Sequence, residues 1–151
     1  MLAHRFSWKR LSMAGALAYT PDGSAAALVF QIRPGAYNTE ALIEFLTDLH
    51  HHFAGEKVTL IWDGLPSHRS RQMTTWIAGQ RCWLRVERLP GYAPDLNPIE
   101  MLWGNIKNTE LANLCPDTID QAHHAAEAGL ERVGTDHDLC YAFLAHTGLS
   151  L

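Results

Sequence analysis

The stretch GYAPDLNPIE, Gly91–Glu100, packs two prolines, a glycine and an Asp-x-Asn triplet into a rigid loop and then runs into MLWGNIKNTELANL. Asn97 is a favoured helix N-cap, Pro98 suits the first helical position, and Glu100 stands three residues after the cap, as in a capping box. Ile99, Leu102, Trp103 and Ile106 mark a buried helix face, so Glu100, Gly104 and Lys107 fall together on a neighbouring one. Glycine in a helix interior costs about 1 kcal/mol relative to alanine. Clearance for a ligand beside Glu100 is one reason to accept that cost. Spacing alone leaves capping and ligation equally open for Glu100.

A partner for that glutamate is sought at strand ends. VTLIW, Val58–Trp62, is β-branched and continuously apolar, which predicts a strand buried on both faces. It ends at Asp63-Gly64. A carboxylate leaving a buried strand needs a hydrogen-bonding partner or a cation, although Asp-Gly is also ordinary turn chemistry. Two carboxylates delivered to one sheet edge predict a divalent-cation site, because hard cations such as Mg²⁺ take oxygen ligands.

The rest of the chain frames these segments. Arg10–Tyr19 and Ser24–Ile32 read as strands joined by the turn Thr20-Pro21-Asp22-Gly23, giving an antiparallel hairpin. Pro34-Gly35 breaks the chain. Asn38 caps a helix with Leu42, Phe45, Leu46, Leu49 and Phe53 on one face, stopped by Gly55. A short helix from about Ser70 to Ala78 and a strand from Cys82 to Leu89 follow. After the helix that begins at Pro98, Asp117 caps a run with Ile119, Ala122, Ala126, Leu130 and Val133 on one face, and His137–His146 forms the last helix. The order β-β-α-β-α-β-α-α predicts an α/β domain with a mixed sheet flanked by helices. The hairpin is expected in the same sheet as Val58–Trp62, and Val58–Trp62 parallel to the strand that ends near Leu89. Ligand sites on such sheets lie beyond the carboxyl ends of strands, where Asp63 falls.

The 151 residues suffice for one domain, and 47% apolar residues can fill its core. A net charge of −4 argues against a stand-alone basic nucleic-acid module but not against an acidic site on DNA. The three cysteines, Cys82, Cys115 and Cys140, are odd in number and far apart, which excludes a disulfide framework or zinc cluster and fits a reducing cytosol. MLAHRFSWKR has no apolar core of a signal peptide, and no run approaches a membrane span.

LIWDGLPSHRS (Leu60–Ser70) followed by LPGYAPDLNPIEMLWGNIK (Leu89–Lys107) resembles the catalytic half of a DDE transposase of the mariner-like superfamily, in its bacterial insertion-sequence branch. In that family the second catalytic Asp ends a strand, and the last acidic residue is the Glu closing a Pro-Asp-Leu-Asn-Pro-Ile-Glu run. Those positions are Asp63 and Glu100, with 36 residues between them, close to the family's spacing. Trp103 and Lys107 are shared as well, and the likeness covers nearly the whole chain. It implies a ribonuclease-H-like fold and metal-dependent DNA cleavage and strand transfer with Mg²⁺ or Mn²⁺ held by Asp63 and Glu100. It also implies partners in the form of transposon ends and target DNA, and a cytoplasmic place in a bacterium, on the nucleoid when bound. His68 and Lys107 are auxiliary candidates, and relatives also carry the histidine.

The family's first strand bears its first catalytic Asp. No acidic residue precedes Asp22, and Asp22 lies in a hairpin turn. The resemblance therefore implies a single partial domain over residues 1–151 that lacks the first strand and the N-terminal helix-turn-helix. Gly64 also departs from the Asn of many relatives. Three readings follow: a fragment inactive alone, an enzyme completed by an upstream chain, or an inhibitory fragment that associates with an intact transposase. Asp95 is a reserve ligand. Arg69, Arg71, Arg81, Arg85 and Arg88 make the middle of the chain basic, as phosphate contacts or as solvated faces. For His50-His51-His52 and His123-His124, adjacent side chains on one helix point apart, which sets metal binding behind a helix-end role.

Overall fold

Pro21 presets the Thr20–Gly23 turn, and Gly23, at φ +73°, supplies the left-handed residue that closes it, with its N–H donating to the Thr20 carbonyl at 3.0 Å. The strands on either side, β1 (Leu11–Tyr19) and β2 (Ala26–Pro34), pair antiparallel from Tyr19↔Ala26 to Leu11↔Pro34. Pro34 is thus the last residue of β2, and the break falls at Gly35, at φ +80°. The computed structural model describes residues 11–91, 94–112 and 119–148. The expected cap at Asp117 and the thiol at Cys115 lie outside those residues.

Helix α1 (Thr39–His52) begins where Asn38 accepts from the Ala41 N–H at 2.8 Å, and it buries Leu42, Phe45, Leu46 and Leu49 at the predicted spacing. Strand β3 (Val58–Trp62), helix α2 (Arg71–Ala78) and strand β4 (Leu84–Arg88) make a β-α-β unit whose strands pair in parallel, as expected. Ser70 caps α2 through the Met73 N–H. Then come α3 (Pro98–Thr109), α4 (Ile119–Thr135) and α5 (His137–His146), the last capped by Asp136 through the Leu139 N–H at 3.0 Å.

The chain divides into two compact units: residues 37–97, and residues up to 36 together with those from 98 onward. In the first, α1 and α2 bury Phe45, Leu46, Leu49 and Met73, with Trp62, Trp83 and Leu84 buried at the strands. In the second, the hairpin packs on α3, α4 and α5 through Ala26, Leu102, Ile106, Leu130, Val133, Cys140 and Phe143. The Tyr19 hydroxyl donates to the Cys140 carbonyl at 2.6 Å and ties β1 to α5.

Two expectations need correction. The hairpin does not share a sheet with β3: the strands form two two-stranded sheets, β1–β2 and β3–β4. The alternation of strands and helices along the chain does not specify which strand edges meet. Nor is β3 buried on both faces. Thr59 and Ile61 alternate outward, with Ile61 51% exposed, while Trp62 is buried and carries the His68 ring. An unbroken apolar run is compatible with either arrangement.

The second unit is held by a polar clasp as well as by its core. Arg132 on α4 donates through Nε and Nη2 to the Glu110 carboxylate, just past α3, and through Nη2 to Asn105 Oδ1 on α3. Gly129 makes room for it, since a Cβ there would come 2.8 Å from a Glu110 oxygen. The hydrogen bond from Arg132 holds the Glu110 carboxyl below its usual range, against the opposing effect of burial. A lowered folded-state pKa adds stability that is present above the ordinary glutamate range and is lost as pH falls through the folded value. Arg132 is 39% exposed, which screens the pair to about 1 kcal/mol at most. Glu110→Gln is expected to lower urea-unfolding stability by that order at pH 7, with the difference from the parent vanishing at a pH well below 4.

Gly15 on β1 sits under α3, where a Cβ would lie 3.0 Å from Trp103 and 3.4 Å from Ile99. Gly15→Val overfills this contact and should cost about 1–3 kcal/mol in the same unfolding assay. A neutral result would show that Trp103 can move aside.

Candidate active site

Parallel pairing puts the carboxyl ends of β3 and β4 side by side, with the Leu89 N–H donating to the Trp62 carbonyl at 2.8 Å to close the ladder. Asp63 leaves the sheet at that point. Its Oδ1 accepts from the Leu65 N–H at 3.2 Å and lies 2.8 Å from His68 Nδ1, which is also 3.1 Å from the Asp63 carbonyl. Both acceptors face the same ring nitrogen, so Nδ1 carries the proton and serves as donor. The imidazole lies flat on Trp62, with centroids 4.1 Å apart and planes 3° from parallel. A 3₁₀ turn, Pro66–His68, carries His68 back to this place, and the hydroxyls of Thr39 and Ser70, 2.9 Å apart, tie the starts of α1 and α2 together.

The two side chains of the pair differ in access: His68 is 13% exposed and Asp63 41%. Among the described residues the side-chain bonds of Asp63 fall on Oδ1, and the side chain stays 41% exposed. A hard cation fits a partly exposed carboxylate. Among the described residues no three His, Cys, Asp or Glu side chains are assembled into a group that could hold a metal ion.

Glu100 stands in the first turn of α3, in the other unit. Leu102 and Ile106 are fully buried, and their burial turns Glu100 and Lys107 outward, both exposed, with Gly104 between them. The predicted grouping on one face is therefore present.

The other candidates have local roles. Asp22 Oδ1 accepts from the Ser24 hydroxyl at 2.6 Å and the Ser24 N–H at 3.0 Å, bonds that hold its carboxyl down to about 2. Asp95 is exposed in the 3₁₀ turn Pro94–Leu96. His50 stacks on Trp83 at 4.0 Å, and Trp83 Nε1 donates to Gln80 at 2.8 Å, so the first of the three consecutive histidines is a packing residue. His123 faces Glu127 one turn on, at 3.8 Å. Arg69, Arg71, Arg81, Arg85 and Arg88 are exposed, and Arg85 pairs with Glu87 at 2.7 Å. Sequence reasoning missed the stack of His68 on Trp62. The signal for it was the aromatic residue immediately before the strand-end Asp.

Residues 2–121 match the model of the DDE superfamily endonuclease family, and the chain belongs to that family. The fold resembles the catalytic domain of the Mos1 mariner transposase, a ribonuclease-H-like domain, at 14% identity over 99% of this chain and 87% of that one, with a TM-score of 0.52. It also resembles a chain of the simian T-cell lymphotropic virus intasome in complex with the PP2A regulatory subunit B56 gamma, at 14% identity over 82% of this chain and 48% of that one, with a TM-score of 0.50. No curated protein sequence matches the chain. No helix among the described residues is long and apolar enough to cross a membrane.

Replacing His68 separates its two contacts. His68→Phe keeps a ring on Trp62 but removes the bond to Asp63, and should cost about 1 kcal/mol because the carboxylate is partly solvated. His68→Ala loses the stack as well and should unfold at lower urea than His68→Phe. Equal stability of the two variants would show that the stack contributes nothing.

Proposed function

We propose that the chain is the catalytic part of a DDE transposase of the bacterial insertion-sequence type, acting on transposon ends and target DNA by Mg²⁺- or Mn²⁺-dependent strand cleavage and strand transfer. The observation that carries this reading is Asp63: a partly exposed strand-end carboxylate with one oxygen held by His68 and Leu65. Family membership over residues 2–121 supports it. Both compact units belong, on this reading, to one ribonuclease-H-like domain.

Asp63 and Glu100, the latter at the start of α3, are the carboxylates that would hold the divalent cation. Bound divalent cations supply the charge that activates a water or a 3′-hydroxyl and stabilises the departing oxygen of an in-line displacement. His68 acts as an auxiliary residue that keeps the Asp63 carboxylate in one orientation. Lys107, exposed two turns along from Glu100, would meet a phosphate.

Asp22 is not a third carboxylate on this reading, because Ser24 takes it up in an exposed turn. A second copy of the chain, or another transposase segment that brings a further carboxylate, is the expected protein partner. The place of action is the bacterial cytoplasm, on the nucleoid when DNA is bound.

A nicking assay with Mg²⁺ or Mn²⁺ tests the reading. The 151-residue chain alone is expected to leave supercoiled DNA intact, and a chain extended upstream through a strand bearing an Asp is expected to nick it. Asp63→Asn or Glu100→Gln in the extended chain should abolish nicking. Persistent nicking with Asp63→Asn would overturn the assignment of the site, and nicking by the short chain would show that its third ligand is already present.

A further inference from the structure

Two glycines inside a helix or strand have a close neighbour that explains them: a Cβ on Gly15 would come 3.0 Å from Trp103 and one on Gly129 2.8 Å from Glu110. A Cβ on Gly134 would only make ordinary contact with Leu28, at 3.5 Å. Gly23 and Gly35 are explained by positive φ. Gly104 has neither reason. It lies in the middle of α3, outside the set of positive-φ glycines, and a Cβ there would meet none of the described residues within 4 Å. Glycine is the least favoured residue in a helix interior apart from proline, and the packing around this one does not ask for it.

The position fits an occupant from outside the chain. Gly104 stands four residues after Glu100 and three before Lys107, so the three share one face of α3. Both flanking side chains are exposed, and they span about 10 Å along the helix axis. The face is polar, with an anionic end suited to a cation and a cationic end suited to a phosphate. It lacks the apolar anchors of a protein–protein interface and has the charged character of a DNA contact.

We propose that the sugar–phosphate backbone of DNA crosses α3 at Gly104, between Glu100 and Lys107, and that the missing side chain lets it approach the helix backbone. The inference rests on the reading of Glu100 as a metal ligand in a DNA-acting site and adds where the strand runs. A side chain at 104 would leave the protein's own packing untouched and hold the DNA away. The effects on stability and on binding therefore have opposite signs, which a purely structural glycine would not give.

The test uses the full chain with Mg²⁺ at low salt, and reads both the thermal midpoint and the affinity for a labelled DNA duplex. Gly104→Ala should raise the midpoint by roughly 2–4 °C through helix propensity while weakening DNA binding. Gly104→Leu should weaken binding further, by about tenfold in Kd. Ala128→Leu, on the exposed face of α4, should leave binding unchanged. Parental affinity in Gly104→Leu, or a lowered midpoint in Gly104→Ala, would overturn the inference and leave the DNA reading standing. Absence of DNA binding by the parent chain would overturn both.

Discussion

The burial of Leu102 and Ile106 is the constraint on which the arrangement around α3 depends. Both side chains are fully enclosed between the hairpin and the other helices of their unit. Once they are inside, the rotation of α3 about its axis is set, because successive side chains on a helix turn by a fixed angle. Glu100 and Lys107 then face solvent with no further instruction. Gly15 on β1 lets the Trp103 side of the helix come close, and Arg132 clamps its far end through Asn105 and Glu110. The exposed carboxylate is placed by what is hidden behind it.

Asp63 is placed by a different device. A parallel ladder delivers it, and a stacked imidazole then holds one of its oxygens. Trp62 is the common element, closing the ladder through its carbonyl and carrying the His68 ring on its indole. The strand end and the side chain that follows it are therefore one mechanical unit.

Much of this was legible in the residues. The cap at Asn38 and the apolar spacing predicted α1, and the bounds expected for α2 and α5 held nearly to the residue, with Ser70 and Asp136 accepting helical N–H groups at their starts. Turn chemistry predicted the hairpin, and the literal run through Pro98-Ile99-Glu100 pointed to the family that the comparison returned. Pairing between non-consecutive strands was not legible. An apolar pentapeptide such as Val58–Trp62 does not state which neighbour takes each edge or which face stays wet. The Glu110–Arg132–Asn105 clasp was hidden too, because its members are 22 and 27 residues apart and each reads singly as a surface residue. The His68–Trp62 stack depends on a 3₁₀ turn that folds the chain back, and no periodicity announces such a turn.

The two units differ in one respect that bears on how the protein comes to be folded. Residues 37–97 are continuous, whereas the other unit draws its hairpin from before that segment and its helices from after it. On the ribosome the hairpin emerges before the helices that cover its apolar face. A two-stranded ribbon by itself is marginal in water. The middle segment, rich in local helix contacts and one β-α-β crossover, can order without waiting for either neighbour. The hairpin must keep its apolar face until α3 arrives more than sixty residues later, and closing that long loop carries an entropic cost that grows only slowly with its length. Synthesis thus holds a sticky ribbon in suspense, the interval in which a chain is most exposed to pairing with the wrong partner.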